Sequence, residues 1–162
     1  MRCEPNARLD TSVFGGCFDE EFASETTEFF RVIAQGQLSA LISETLVREL
    51  EHAPEPVRAL LRRVMGQTYE PVAVSEAAVR LSQAYLRAGI VGERFTDDAL
   101  HVALATLARA DVIVSWNFRH LVNPFRERAF NGVNIASGYG LISMMTPAGI
   151  TRTLEMDDED TE

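Results

Sequence analysis

The sequence predicts a single α/β domain built on an open, mostly parallel β-sheet. Short apolar runs alternate along the chain with segments of helical periodicity, which is the pattern of βα units. Val112–Val114 is a continuous β-branched run, typical of a parallel strand covered on both faces. Residues 98–110 (DALHVALATLARA) are apolar around most of a helix and predict a buried one. The length of 162 residues fits one domain.

Turn and capping residues divide the chain into its elements. Gly36 and Gly89 are expected to end helices, Pro54 lies near the end of another, and Ser43 and Ser75 are expected to begin helices as N-caps. Gly15 and Gly16 are expected to break the chain after the first strand. The predicted strands cover residues 7–13, 38–42, 71–74, 112–114 and 132–135, and the predicted helices cover residues 21–35, 43–54, 55–65, 77–88 and 98–110.

The net charge of −9 is unevenly distributed. The segment 155–162 (EMDDEDTE) contains six acids and no base, so we expect residues 1–150 to form the domain and 151–162 an acidic, disordered tail. Overall acidity opposes nucleic-acid binding by bulk attraction. All 15 basic residues are arginine, which suits phosphate recognition better than lysine does.

The sequence indicates a cytoplasmic protein. No apolar run approaches the length of a membrane span, and the polar start MRCEPNARLD contains no signal-peptide core. Cys3 and Cys17 show no metal-ligand spacing and are expected to be reduced thiols. We therefore expect no membrane association.

Polar residues follow the predicted strands, at the edge where open parallel sheets bind ligands. Asp10 follows the first strand, Asn117 follows Val112–Val114, and Asp98 begins the buried helix. Glu49 borders the apolar face of the helix after the second strand, whereas Glu44 points toward solvent. Converging carboxylates repel one another unless a cation lies among them, and oxygen ligands suit Mg²⁺ or Mn²⁺.

Four segments in a fixed order resemble the PIN-domain nucleases and, within them, the VapC-like toxins of bacterial toxin–antitoxin pairs. They span residues 9–118, with weaker similarity through Tyr139, and only the ordered set is specific. The matching segments are LDTSV at 9–13, VREL at 47–50, DALHVALA at 98–105 and VIVSWNF at 112–118.

This resemblance implies a three-layer sandwich and an Mg²⁺- or Mn²⁺-dependent endoribonuclease. It implies that Asp10, Glu49 and Asp98 bind the metal, and that Ser115 matches the Ser/Thr near the family's last acidic position. It further implies a homodimer inhibited by a cognate antitoxin. With Asn117, the three acids form the expected catalytic set, while Ser115, Arg119 and His120 are expected to contact RNA.

Two positions depart from the family pattern. Asn117 stands where many members have a fourth acid, which leaves the number of metals, one or two, open. The segment PNARL before Asp10 replaces the usual apolar run and predicts a less firmly positioned Asp10. These departures support an alternative, a catalytically inactive PIN-like scaffold that binds proteins.

Structural interpretations compete with the catalytic ones. Asp10 or Asn117 could be turn residues, Glu49 a solvated helix acid, and Asp97 or Thr96 the cap beside Asp98. A packed, hydrogen-bonded His101 is expected more than a functional one, and His120 could be a surface residue. We expect Arg58, Arg62 and Arg63 to form ion pairs with Glu55. We expect the aromatic residues Phe14, Phe22, Phe29 and Phe30 to pack in the core or in a subunit interface.

Overall fold

A five-stranded, all-parallel sheet forms the centre of the computed structural model, which describes residues 4–67 and 69–160. The strand order is β3-β2-β1-β4-β5, and every neighbouring pair is parallel. The strands are β1 (Asn6–Leu9), β2 (Ser39–Ser43), β3 (Tyr69–Val72), β4 (Val112–Val114) and β5 (Ser143–Met145). The open parallel sheet expected from the sequence is confirmed.

Helices cover both faces of the sheet, so the domain has three layers. The buried side chains of α1 to α4 and α8 pack on one face, and those of α5 to α7 pack on the other. The helices are α1 (Thr11–Gly16), α2 (Ala23–Ala34), α3 (Glu44–Leu50), α4 (Glu55–Gln67), α5 (Glu76–Arg87), α6 (Thr96–Leu107), α7 (Pro124–Ala136) and α8 (Pro147–Glu159).

Alternate residues of each strand face opposite layers. In β1, Ala7 and Leu9 join the first core, while Arg8 faces the layer of α5 to α7 together with its strand neighbours Leu41 and Ile113. Arg8 is nevertheless only 1% exposed. The segment PNARL is thus a central strand despite its polar composition, because β2 and β4 pair with it on both sides.

Local signals for helix boundaries are confirmed at four positions, one of which is Gly36, with a positive φ of 75° just after α2. The Ser43 hydroxyl accepts from the amide of Leu46, and the Ser75 hydroxyl accepts from the amide of Ala78, as N-caps do. Gly89 has a positive φ of 71° just after α5.

The expected strand at residues 132–135 is wrong, because these residues lie within α7. Asn123 caps this helix by accepting from the amides of Phe125 and Arg126, and Pro124 occupies its first turn. The segment GVNI is too short to distinguish a strand from a helix by pattern alone. The last strand, β5, lies further along the chain.

The expected break at Gly15 and Gly16 is also wrong, since both residues belong to α1. A Cβ atom at Gly16 would lie 2.8 Å from Thr26 Oγ1 and 2.8 Å from Trp116 Nε1. The second glycine is therefore required for close packing rather than for chain reversal.

The expected disordered tail from residue 151 is corrected over residues 151–159, which belong to α8. Thr146 caps this helix through the amide of Gly149, and Pro147 begins it. Ile150 and Thr151 are buried, so the expected boundary after residue 150 falls inside a packed helix. Residues 161 and 162 lie outside the described part.

Two further observations concern the chain as a whole. Within residues 4–67 and 69–160, no helix is long and apolar enough to cross a membrane. Cys17 is a free thiol, and Cys3 lies outside the described residues.

Candidate metal centre

The candidate site lies where β1 and β4 end, side by side. Asp10 follows β1 and its amide donates a 3.1 Å hydrogen bond to the carbonyl of Val114, the last residue of β4. In the sheet, β2 lies on one side of β1 and β4 on the other, so the strand order reverses between β1 and β4. This is the topological switch point of the sheet. Ligands of open parallel sheets bind at this position.

Two hydroxyl groups hold the carboxylate of Asp10. Its Oδ2 accepts a 2.8 Å hydrogen bond from Ser12 Oγ and a 2.7 Å hydrogen bond from Ser115 Oγ. The residue occupies the N-cap position of α1, but its side chain makes no capping hydrogen bond. The hydrogen bonds that the described residues make to this carboxylate all use Oδ2. The geometry therefore favours a fixed carboxylate with Oδ1 available over a simple turn residue.

Asp98 enters the same site from the first turn of α6. Its Oδ2 lies 2.8 Å from Nδ1 of His120. Burial raises the pKa of Asp98, the hydrogen bond and charge of His120 oppose that shift, and the negative charge of Asp10 adds to it.

The expected N-cap of α6 at Asp97 or Thr96, beside Asp98, is wrong. No side chain caps α6, because Phe95 occupies the N-cap position and makes no side-chain hydrogen bond there. The Thr96 hydroxyl instead donates to the carbonyl of Glu93. Asp97 and Asp98 both lie in the first turn, where negative charge interacts favourably with the helix dipole.

Glu49 contacts a histidine of α6. Its Oε1 is 3.5 Å from Nε2 of the buried His101, and its side chain is about one-third exposed, at 32%. Among the described residues, no group of three or more His, Cys, Asp or Glu side chains could hold a metal ion. The three-acid metal site therefore stays a prediction, and in this structure Glu49 contacts His101.

Arg8 is the component of the site that sequence reasoning missed. Its guanidinium donates to the Leu9 carbonyl at 3.0 Å, to Ser43 Oγ at 2.7 Å and to His101 Nδ1 at 2.7 Å. Burial lowers the pKa of Arg8 to about 10, while the charges of Asp10 and Glu49 raise it. The side chain therefore remains a cation at neutral pH. A charged residue between two core positions, Ala7 and Leu9, was the available signal.

The guanidinium of Arg8 determines the tautomer of His101. Because a guanidinium can only donate, Nδ1 of His101 must accept, and the neutral ring then carries its proton on Nε2. That nitrogen faces Glu49. His101 is thus the packed, hydrogen-bonded histidine that the sequence favoured, and it links Arg8 to Glu49.

Ser115 and Asn117 organise the loop after β4. Ser115 is fully buried, and its Oγ accepts from the amide of Asn117 at 2.9 Å while donating to Asp10. Asn117 Oδ1 accepts from the amide of His120 at 3.0 Å. The structure favours a turn-forming Asn117, and it corrects the expected RNA contact of Ser115, because a fully buried hydroxyl is inaccessible to RNA.

His120 and Arg119 lie on the Asp98 side of the site. The buried His120 ring packs on Phe95, with ring centroids 4.0 Å apart. The guanidiniums of Arg94 and Arg119 lie 5.2 Å and 5.9 Å from the centre of the same Phe95 ring. Arg119 is exposed, whereas His120 is buried and hydrogen-bonded to Asp98.

Two structural interpretations from the sequence are confirmed, the one on ion pairs for two of its three arginines, Arg58 and Arg62. Arg58 and Arg62 form ion pairs with Glu55 at 2.8 Å and 2.6 Å, as expected for a solvated helix face. The aromatic residues of the first helices pack inside the protein: Phe14, Phe29 and Phe30 are buried in the core, and Phe22 stacks on Trp116 with centroids 4.3 Å apart.

Comparison with known proteins supports the fold. No protein-family model matches the chain, and no curated protein matches it in sequence. A solved structure that matches is one of VapBC2 from Rickettsia felis bound to a DNA fragment from their promoter. The match has a TM-score of 0.56 and 14% identity, and it covers 87% of this chain and 98% of that chain. The protein thus has a PIN-like α/β fold.

The acid pair fits a hard divalent cation. Mg²⁺ retains several waters and binds through one or two carboxylates together with substrate phosphates. Asp10 and Asp98 supply two such groups at the switch point, and Oδ1 of Asp10 is not engaged by a described residue. Carboxylate oxygens are of the chemical type that Mg²⁺ or Mn²⁺ binds.

Proposed function

We propose that this protein is a divalent-metal-dependent endoribonuclease of the VapC-like type, the toxin of a type II toxin–antitoxin pair. The observation that carries the proposal is the carboxylate of Asp10, held by Ser12 and Ser115 at the switch point of a PIN-like sheet, with Asp98 in the first turn of α6. A buried carboxylate whose pKa is raised, as that of Asp98 is, is typical of functional sites.

The proposed roles follow from the contacts. Asp10 and Asp98 would hold Mg²⁺ or Mn²⁺, which lowers the pKa of a bound water and stabilises a leaving oxygen of RNA. Ser12 and Ser115 orient Asp10, and His120 orients Asp98. The exposed Arg119 lies beside this pair and supplies a guanidinium for an RNA phosphate.

The proposed partners extend the same interpretation. The structural match is to a chain of a VapBC2 complex, which supports a cognate antitoxin as the partner of this protein. An RNA substrate, a homodimer and a cytoplasmic location complete the proposal. Overall acidity is compatible with it, because arginines and a bound cation can capture RNA locally.

Cleavage of RNA in the presence of Mn²⁺ tests the proposal. We expect activity in the wild type that EDTA abolishes, and loss of activity in Asp10→Asn and Asp98→Asn. Asp97→Asn is the matched control, because Asp97 is exposed and lies beside Asp98 in the same helical turn. Equal activity in all four proteins, or activity that survives EDTA, would contradict the proposal.

The alternative of an inactive protein-binding scaffold has its own support. Asn117 stabilises a turn and Glu49 contacts His101. Two residues of the expected catalytic set therefore make structural contacts. A scaffold without a metal site should show no Mn²⁺-dependent rise in melting temperature, whereas an intact site is stabilised by bound metal. Melting curves with and without Mn²⁺ distinguish the two functions.

A further inference from the structure

The loop between β4 and α7 presents an aromatic side chain to solvent beside the candidate site. Phe118 is 52% exposed, whereas Ser115 is fully buried and His120 is 7% exposed. Ser115 donates a hydrogen bond to Asp10. His120 contacts Asp98. Phe118 therefore lies in the short segment that joins the contacts of both acids, and its ring is open to a ligand.

The ring of Phe118 packs against a fixed aromatic support. Its centroid lies 6.2 Å from that of Trp116, which in turn stacks on Phe22 with centroids 4.3 Å apart. The Trp116 indole Nε1 donates to Thr26 Oγ1 at 2.9 Å, and the Trp116 amide donates to Ser12 Oγ at 3.0 Å. A single exposed apolar side chain is ordinary on a protein surface. A ring supported from behind loses little conformational freedom when a flat ligand stacks on it.

Two exposed guanidiniums accompany this ring. Arg119 directly follows Phe118 in the loop, and Arg119 and Arg94 lie 5.9 Å and 5.2 Å from the centre of the Phe95 ring. Neither arginine forms an ion pair with a residue that the structure describes. The chain contains 24 acidic residues, so two arginines without an acidic partner at one place favour an anionic ligand there.

We propose that Phe118 stacks on a nucleobase of the RNA, next to a phosphate that Arg119 binds. This inference rests on the proposed function. An aromatic face for a base, combined with a cationic group for the backbone, is the recognition used for single-stranded nucleic acid. A base inside a duplex has both faces covered by its neighbours, so the ring of Phe118 selects an unpaired nucleotide. The arginines and the two acids held by the same loop favour this ligand over a protein partner.

Quenching of 2-aminopurine fluorescence tests this inference in the metal-free protein, because stacking on an aromatic ring quenches this base. The probe is a single-stranded oligouridylate with one central 2-aminopurine, titrated in EDTA. We expect the wild type to bind and quench the probe. Phe118→Ala should bind it about 5-fold to 100-fold more weakly, the loss expected from one base–aromatic stack.

Three further variants separate stacking from a structural role of Phe118. Phe118→Trp should bind the probe like the wild type, since it retains an aromatic face. Phe118→Leu should bind it as weakly as Phe118→Ala, since it retains only apolar bulk. Phe18→Ala is the matched control and should leave the affinity unchanged, because Phe18 is 55% exposed but lines a cavity between α2 and α4 with Arg31 and Leu60.

The outcomes distinguish this inference from the proposed function. Equal affinity of the wild type and Phe118→Ala for the probe would overturn the inference and favour a protein partner at this ring. Absence of quenching by the wild type would overturn it as well. If Phe118→Ala does not fold, equal binding by Phe118→Trp and Phe118→Leu would overturn it instead. Quenching by a wild type that shows no Mn²⁺-dependent RNA cleavage would contradict the proposed nuclease and support the role of Phe118.

Discussion

Ser115 Oγ donates a 2.7 Å hydrogen bond to Oδ2 of Asp10, and this bond connects the ends of two adjacent strands that are 105 positions apart in sequence. Ser12 Oγ donates to the same oxygen from the first turn of α1. Two donors on one carboxylate oxygen fix the plane and direction of the group. The buried hydroxyl therefore positions an acid, as groups behind metal ligands commonly do.

Ser115→Ala should weaken Mn²⁺ binding and RNA cleavage by about 10-fold to 100-fold, the usual cost of removing a group that orients a metal ligand. The measurements are Mn²⁺ titration and initial cleavage rates. Ser82→Ala is the matched control, because Ser82 is also buried but donates to the Val79 carbonyl within α5. Equal effects of the two substitutions would show that Ser115 acts only through stability.

Gly16→Ala should destabilise the protein by about 1–3 kcal/mol, the typical cost of overpacking. The added Cβ would lie 2.8 Å from both Thr26 Oγ1 and Trp116 Nε1, which are themselves hydrogen-bonded at 2.9 Å. Gly15→Ala is the control, because nothing lies within 4 Å of a Cβ at that position. Urea unfolding measures both, and equal stability of the two variants would refute the close contact.

Tyr85→Phe should lower the free energy of unfolding by about 1–3 kcal/mol, because it leaves a buried polar group without its partner. The Tyr85 hydroxyl donates to Asn134 Oδ1, and burial raises the pKa of Tyr85 to about 12. Asn134 is fully buried, so water cannot replace the lost donor. Tyr139→Phe is the control for loss of a hydroxyl at a less buried tyrosine. Equal unfolding midpoints would contradict the prediction.

Asp98→Asn should stabilise the metal-free protein at neutral pH while abolishing metal-dependent activity. The pKa of Asp98 is raised on folding, mainly by burial, so ionisation favours the unfolded state. Stability of the wild type therefore falls as pH rises from the unfolded pKa through the folded one. The difference between variant and wild type should be greatest above that window and vanish below pH of about 4. Melting curves from pH 3 to about pH 8 measure it, and a stabilisation that grows on acidification would refute it.

Deletion of residues 155–162 should leave RNA affinity and cleavage unchanged within about twofold, because exposed charges beyond roughly 10 Å are largely screened by salt. Helix α8 begins after β5 at the edge that carries Asp10, packs along α2, and extends about 20 Å away from that edge. Filter binding and cleavage assays compare the two forms. A clear rise in RNA affinity would contradict this prediction and show that the acidic segment repels RNA.

The sequence predicted the elements whose signals are local. Ser43 and Ser75 begin helices because a hydroxyl can accept from an amide three residues ahead, which depends on nothing distant. Val112–Val114 was recognisable because a strand covered on both faces is apolar throughout. Residues 132–135 were not, since four residues cannot establish a period and the capping of α7 by Asn123 lies well upstream.

The residues of the candidate site also fall into two groups, those that local sequence signals predicted and those whose contacts only the structure showed. By itself, the sequence determined the parallel α/β class and the position of Asp10 and Asp98 at the ends of core elements. Only the tertiary structure decided the tasks of the other residues: Ser115 orients Asp10, Asn117 forms a turn, and Glu49 faces His101. It also brought the buried guanidinium of Arg8 into contact with Ser43 and His101. The physical reason is that hydrogen bonding and charge compensation depend on distances across strands and helices, whereas periodicity and capping depend on neighbours along the chain.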